Sequence, residues 1–317
     1  MRKAILLYNP LSGRRRDRRI ADVDSARSVL LAAGVEATAV PTRSGLEASE
    51  QARQAIAAGY DTIFACGGDG TIHDLLQGMV GTSATLALIP LGTANSLAHD
   101  LRIPLNPAAA ARMALSGTPK RIAVGRVQYL DFRGSNCTRH FVVAAGIGVD
   151  AHLFYKLNLE LKQQLGMIAY YVKATHLWFT HRMQQFAAEF VESEVREPKC
   201  ATVSQLLAVR IHNFGGILQE LAPGASLDRN DMRLVLFRTT NRICYLLYVI
   251  RGLLRQRWRV PGIELLYCKK IVCQGLPASI PGKRVPRVYV EADGELVGTI
   301  PAEITVVPDA LTLLVPA

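Results

Sequence analysis

The chain has no apolar run near the ~18 residues that a spanning helix needs. Its longest strictly apolar stretch without glycine is Ile243–Ile250. Six cysteines (Cys66, Cys137, Cys200, Cys244, Cys268 and Cys273) form no CxxC pair and no disulfide-framework spacing, which points to free thiols in a reducing compartment. Seven histidines offer no HExxH or related spacing, which argues against a zinc site. GxxxxGK[ST] is absent, as are a GxGxxG after the first strand and a GxSxG elbow. Those absences remove the P-loop, the ordinary dinucleotide fingerprint and the hydrolase nucleophile. The N-terminus has Arg2 and Lys3, but its apolar run, Ala4–Tyr8, is too short for a secretory signal and reads as a strand. A cytoplasmic protein is expected.

What is present is a chain of 317 residues, half of them hydrophobic, enough for two domains with substantial cores. The net charge is +11, from 37 Lys+Arg and 26 Asp+Glu. It is concentrated: Arg238 to Arg287 hold 11 Lys/Arg against one acid, Glu264, and the remainder is almost neutral. One basic region is better matched to an anionic surface or substrate than to nucleic acid, because the spaced aromatics that stack bases are missing.

The first third alternates strand and helix signals. Strands are expected at Lys3–Tyr8, Val35–Val40, Asp61–Cys66 and Leu86–Pro90, with helices at Asp17–Ala33, Gly45–Ala58, from Thr71, and from Asn95 to about Leu101. That order implies a parallel sheet with both faces covered. From about Lys120 strand-like runs dominate, at Arg121–Tyr129, His140–Ala145, Gln184–Val191, Val203–His212, Leu234–Arg238 and Ile263–Cys273. They resume at Arg287–Glu291, Leu296–Ile300, Glu303–Val307 and Leu311–Val315, and one long helix is expected at Ala151–Thr180. The expected units are an α/β domain over 1–119 and a β-rich domain over 120–299.

Three loops at strand ends carry chemistry, where open α/β sheets bind ligands. Gly67-Gly68-Asp69-Gly70-Thr71 puts two adjacent glycines before a helix start, so backbone can approach a phosphate. Asp69 would repel a bare phosphate and makes sense beside Mg²⁺, a water network or a ribose; a tight turn capped by Asp69 is the alternative. Gly92-Thr93-Ala94-Asn95 offers a hydroxyl and an amide, or an ordinary helix cap. Asn9-Pro10-Leu11-Ser12-Gly13 runs into Arg14-Arg15-Arg16, which could neutralise phosphate or form a solvated basic loop. Gly146-Ile147-Gly148-Val149-Asp150-Ala151 fits GxGxxA, but it lies in the β-rich half, away from repeated βα units.

In order and spacing, Asn9–Gly13, Gly67–Thr71 and Pro90–Asn95 resemble the catalytic domain of the diacylglycerol kinase family, within it the bacterial lipid kinases related to sphingosine kinases. The resemblance extends to Ala145–Ala151, Asn213-Phe214-Gly215-Gly216, Ala222-Pro223-Gly224-Ala225 and Asp293-Gly294-Glu295. It implies an NAD-kinase-like and diacylglycerol-kinase-like α/β domain, a β-sandwich second domain, and a C-terminal segment, about 300–317, that returns to the first. It implies ATP- and Mg²⁺-dependent phosphorylation of a lipid hydroxyl. Carried over, Asn9, Ser12, Thr42, Gly67, Gly68, Asp69, Gly70, Thr71, Ile72, His73, Gly92, Thr93 and Asn95 would bind ATP. Glu295 would accept the hydroxyl proton, with Asp293 beside it. Read alone, Asp293-Gly294-Glu295 is a hairpin turn. Two departures stand out. Ser96 replaces an aspartate frequent after Gly-Thr-Ala-Asn. The family's structural Mg²⁺ loop falls on Leu227, Asp228, Asn230, Asp231 and Met232, with its acid displaced by one position.

Asn241–Trp258 reads as an amphipathic helix with Ile243, Leu246, Leu247, Ile250, Leu253, Leu254 and Trp258 on one face and Arg251, Arg255 and Arg259 beside it. With Lys269, Lys270, Lys283, Arg284 and Arg287 it would dock on anionic headgroups; alternatively its apolar face packs on the β domain. The resulting expectation is a peripheral lipid kinase on the inner face of the membrane, compatible with a homodimer. A soluble NAD-kinase-like enzyme and a non-catalytic nucleotide-sensing membrane adaptor are the alternatives.

Overall fold

Ala4, Ile5, Leu6 and Leu7 are all buried, as a strand covered on both faces requires. In the computed structural model this run is β1 (Lys3–Tyr8), set between parallel β2 (Glu36–Pro41) and parallel β3 (Thr62–Gly67), with β4 (Thr85–Pro90) beside β3. The residues described are 1–10, 12–13, 16–43, 45–148, 183–193, 197–215, 220–277 and 287–317. The expected helix at Ala151–Thr180 therefore lies outside them, as do Lys283 and Arg284. Helices α1 (Arg19–Ala32), α2 (Gly45–Ala57), α3 (Asp69–Met79), α4 (Ser96–Asp100) and α5 (Pro107–Ser116) accompany the parallel strands. The last is a helix that the strand and helix signals above did not include. Asn106 caps it, accepting a hydrogen bond from the Ala109 amide at 3.0 Å, and Pro107 opens it.

The β-rich part holds β5 (Thr118–Leu130), β6 (Asn136–Phe141), β7 (Ala144–Gly148), β8 (Phe186–Glu192) and β9 (Pro198–Val203). It continues through β10 (Gln205–Val209), β11 (Met232–Phe237), β12 (Ile263–Gly275), β13 (Tyr289–Ala292) and β14 (Glu295–Val315), with α6 (Arg242–Leu253) after β11. The described strands run β14-β13-β7-β10-β11-β12 in hydrogen-bonded order, and β12 pairs with β14 again, so this layered unit closes on itself. Inside lie Ile147, Leu206, Leu234, Leu266, Val290 and Ile304, contributed by alternation along each strand.

The three C-terminal strands expected from the sequence are one strand. β14 spans 21 residues, and its ladder with β5 slips between Thr299 and Ala302 and between Val307 and Leu311. Pro301 and Pro308 lie at those slips, where a missing amide is tolerated as a bulge and the chain carries on. β14 begins in the β-rich part and ends beside β4, with Thr312 and Leu313 paired in parallel to Thr85 and Leu86. The C-terminus thus completes the first sheet, and Leu313 is fully buried in the core that contains Leu6, Phe64 and Leu75. Leu313→Ala is expected to cost about 2–5 kcal/mol, read as a lowered urea midpoint. An unchanged midpoint would show that the C-terminal strand does not hold the first sheet together.

Candidate active site

The loops after β1, β3 and β4 converge. Ser12 Oγ accepts the Gly68 amide at 3.2 Å, and a Cβ on Gly68 would lie 3.0 Å from the Cα of Gly92. Both positions need glycine for this backbone-to-backbone approach. Gly13, at φ +67°, presses against the Leu91 carbonyl. Arg19, buried at the start of α1, donates to the carbonyls of Ser12 and of Leu91, the latter at 3.0 Å. Burial lowers its pKa from the usual arginine value. This guanidinium, not singled out from the sequence, fastens two of the loops together; Arg14 and Arg15 lie outside the described residues.

Asp69 occupies the first turn of α3, two residues earlier than the sequence suggested for the helix start. Its carboxylate accepts the Leu97 amide at 3.4 Å and hydrogen-bonds Ser96, so it caps α4 from a different loop. Asn95, at φ +51°, cannot cap that helix, because its amide side chain is folded back on Gly92: Oδ1 accepts the Gly92 amide at 2.9 Å, and Nδ2 donates to the Gly92 carbonyl at 3.1 Å. Desolvation raises the Asp69 pKa, hydrogen bonds from Ser96 and Leu97 oppose this, and Asp293 adds to it. No side chain caps the N-terminus of α3, and the Thr71 hydroxyl in its first turn is buried without a hydrogen-bond partner. A helix start of this kind suits an anion. Beside it, Arg19, Gly92, Asn95, His99 and exposed Thr93 line a cleft of about 520 Å³.

The other residues assigned to ATP divide. Asn9 opens the first loop, its amide donating to the Cys66 carbonyl at 3.3 Å. Thr42 hydrogen-bonds the Tyr8 carbonyl at the end of β1. Gly67 lies tightly over Thr71. Ile72 is buried in the first hydrophobic core. His73 is buried too, with Nδ1 3.5 Å from Asp293 Oδ2.

Asp293 and Gly294 form the two-residue turn between β13 and β14, at φ +50° and +83°. The Asp293 carboxylate accepts three backbone amides, from Val142 at 3.0 Å, Val143 at 2.8 Å and Ala144 at 3.1 Å. With its oxygens so occupied and 8% exposure, Asp293 clamps the turn to the corner between β6 and β7. Glu295, two residues on, is exposed, and a Cβ on Gly70 would come within 3.2 Å of its Oε1. Partial desolvation raises its pKa above the ordinary carboxylate value, His73 opposes this and Asp74 adds to it. A carboxyl is thereby held against the glycine loop.

Two further contacts tie the β-rich part to this site. Asp100 Oδ1, at the end of α4, accepts the amides of His212 at 2.9 Å and Asn213 at 2.8 Å. Gln77 on α3 donates to the His140 carbonyl at 2.8 Å and accepts its amide at 2.9 Å. Neither residue belongs to a recognisable motif, so sequence reasoning missed both.

The loop assigned to a structural Mg²⁺ does not fit one. Asp231 makes a two-pronged ion pair with Arg229, at 2.6 and 2.9 Å, and Asp228 pairs with Lys120. Leu227 and Met232 are buried apolar side chains, and Asn230 is exposed. Fully buried Arg210 donates to the carbonyls of Arg229 and Asp231 and to that of Ala123, the first at 2.8 Å and the last at 2.9 Å. Its guanidinium thus engages backbone carbonyls of that loop. Burial brings its pKa down to about 10, still charged at neutral pH. Among the described residues, no three His, Cys, Asp or Glu side chains converge on a metal position.

Residues 3–127 match the family model of the diacylglycerol kinase catalytic domain. The resemblance read from the loops is borne out. A diacylglycerol kinase of Bacillus subtilis is 28% identical over 244 residues, 76% of this chain and 75% of that protein. One from Staphylococcus saprophyticus is 25% identical over 76% of this chain and 74% of its own length. The crystal structure of a diacylglycerol kinase from Bacillus anthracis has a TM-score of 0.69 at 19% identity, covering 99% of this chain and 96% of that one. Yeast NADH kinase complexed with NADH reaches a TM-score of 0.50 at 10% identity, covering 100% of this chain and 84% of that one. The fold is therefore of the diacylglycerol kinase and NAD kinase type, with a parallel α/β part and a β-rich part, as the sequence suggested.

Because Arg210 fills the metal-loop position, the thermal unfolding midpoint of the ligand-free protein is expected to be the same in Mg²⁺ and in EDTA. Arg210→Met removes three hydrogen bonds to backbone carbonyls, two of them buried, and should cost about 3 kcal/mol or more. Stabilisation by Mg²⁺ alone would refute the assignment.

Proposed function

We propose that this protein is an ATP-dependent lipid kinase that moves the γ-phosphoryl group to a lipid hydroxyl at a membrane surface. The observation that carries this reading is the placement of Glu295 against Gly70, a proton acceptor beside an anion-binding loop. The family match and the diacylglycerol kinase relatives support the kinase class. Among the described residues no helix is long and apolar enough to cross a membrane, which fits a peripheral mode of action.

Phosphoryl transfer depends mostly on positioning and on neutralising charge. Ser12, Gly68 and Gly92 bring their loops within contact distance so that backbone can cradle phosphates, and the open N-terminus of α3 faces the same place. Mg²⁺ carried in on ATP would neutralise the transferring phosphates; it needs only one or two protein carboxylates, and Asp69 is the one within this loop. Glu295 takes the proton of the attacking hydroxyl. Its pKa, raised by desolvation, brings it closer to neutral pH, where a general base works best. Asp293 fixes the turn that presents it.

ADP release with diacylglycerol, sphingoid base, ceramide or phosphatidylglycerol in mixed micelles tests the reading. Turnover with NAD in detergent-free buffer and none with lipids would favour a soluble nucleotide kinase. ATP binding without ADP release in any arm would favour a nucleotide-sensing adaptor. Glu295→Gln is expected to lower kcat by about 10²–10⁴-fold, the usual contribution of a positioned base. Glu295 must be ionised to act, so the wild-type kcat/KM should fall as pH drops through its raised pKa. That acid limb should lie above the ordinary carboxylate range and vanish in Glu295→Gln. Full activity in the variant would exclude the role.

A further inference from the structure

The helix α6 is mounted with its apolar stripe outward. It buries Tyr245, Tyr248, Arg251 and Gly252 against the β-rich part, where both tyrosine rings contact Phe237. The stripe that would ordinarily pack inward stays exposed: Ile243 at 64%, Leu246 at 53%, Leu253 at 40% and Leu254 at 58%. Trp258, beyond the helix, is 40% exposed. A soluble domain seldom leaves such a stripe uncovered without a partner for it.

Trp258 also lines a cavity of about 800 Å³ together with Arg233, Arg251, Arg257 and Arg259. Arg251 is 95% buried, its guanidinium lies 4.3 Å from the Tyr248 ring centroid, and its Nε has no hydrogen-bond partner. The Arg233 guanidinium lies 4.2 Å from the Tyr267 centroid, and its buried Nε is unpartnered too. Two acids share the lining. Glu264 is paired with Arg238 at 2.8 Å, and Glu220 stands 3.6 Å from His212 Nδ1 and 3.9 Å from an Arg257 nitrogen. Four guanidinium groups against two carboxylates, one of them already neutralised, leave an excess of positive charge in a concave, partly dry site. Arginines gathered in such a place suit phosphate.

We propose that this cavity is a headgroup site for an anionic phospholipid, separate from the active site, and that the exposed α6 stripe enters the bilayer beside it. Continuity at Trp258 joins the apolar and the cationic surfaces, and that pairing is what an interfacial helix presents to an anionic membrane. A free phosphate would need no apolar stripe. A second copy of the chain seated symmetrically on this face would bring the arginine-rich rims together. The proposal extends the membrane-surface reading of the kinase but is tested without turnover, so a failed kinase assay and a failed docking assay are distinguishable.

The experiment is co-sedimentation of the whole protein with phosphatidylcholine vesicles, with and without phosphatidylglycerol, in the absence of nucleotide. Binding should require phosphatidylglycerol and weaken with salt. It should drop at least tenfold in Arg257→Gln/Arg259→Gln, whose side chains are exposed, and in Leu246→Ser/Leu254→Ser. Trp258 fluorescence should shift to the blue on binding. Circular dichroism and an unchanged unfolding midpoint establish that these variants fold. Arg251→Met, read the same way, reports on the buried donor. Binding that ignores phosphatidylglycerol, or that survives both double substitutions, overturns the proposal. Quenching of Trp258 by inorganic phosphate without vesicle binding, or a dimer that Leu246→Ser/Leu254→Ser dissociates without vesicle binding, overturns it as well.

Discussion

One carboxylate couples the two halves of the molecule at the point where chemistry is placed. Asp293 gathers the amides of Val142, Val143 and Ala144 at the corner between β6 and β7, and its Oδ2 faces His73 on α3. Its left-handed backbone, with that of Gly294, makes a tight turn whose twist suits the flanking strands. Glu291 secures the turn from the other side by accepting the Gly294 amide at 2.8 Å. Glu295 follows immediately, so its position against Gly70 is set by backbone and not by a flexible side chain alone. An Asp293 without these three donors would be a buried, unpaired charge, and the turn would lose its anchor.

The same economy governs the loops of the first sheet. Each is held by a group belonging to another loop or helix: Ser12 by the amide of Gly68, α4 by the carboxylate of Asp69, and Leu91 by the guanidinium of Arg19. Such cross-bracing holds the backbone of the three loops together near the N-terminus of α3. Arg210 does a comparable job deeper in the β-rich part, where a single guanidinium donates to three carbonyls. Arginine suits that place because its planar fork distributes donors in fixed directions.

α6 inverts the usual rule for surface helices. Its aromatic and arginine face is buried because Phe237 offers a ring partner and Ser204 a hydroxyl for Tyr245, 2.7 Å away. Once those contacts are made, the leucine and isoleucine stripe has nowhere to go but outward. The periodicity of Ile243, Leu246, Leu247, Ile250, Leu253 and Leu254 was legible in the sequence; the side it faces was not, because both faces of this helix carry large apolar rings or chains.

Sequence by itself determined the alternating strands and helices of the first sheet, the three glycine loops, the Asp-Gly turn and the resemblance to the diacylglycerol kinase catalytic domain. These follow from local constraints: apolar runs, glycine where backbones must touch, and a two-residue turn with positive φ. Only the tertiary structure decided which groups meet. It fused three expected strands into β14, since a ladder with β5 tolerates proline at its bulges. It tied Asp293 to three backbone amides and set Glu295 against Gly70, a distinction invisible in two neighbouring carboxylates. It set Arg210 against the carbonyl of Ala123, 87 positions away and near to it in space only through the fold. Contacts of that sequence separation depend on topology, and no local pattern of residues encodes them.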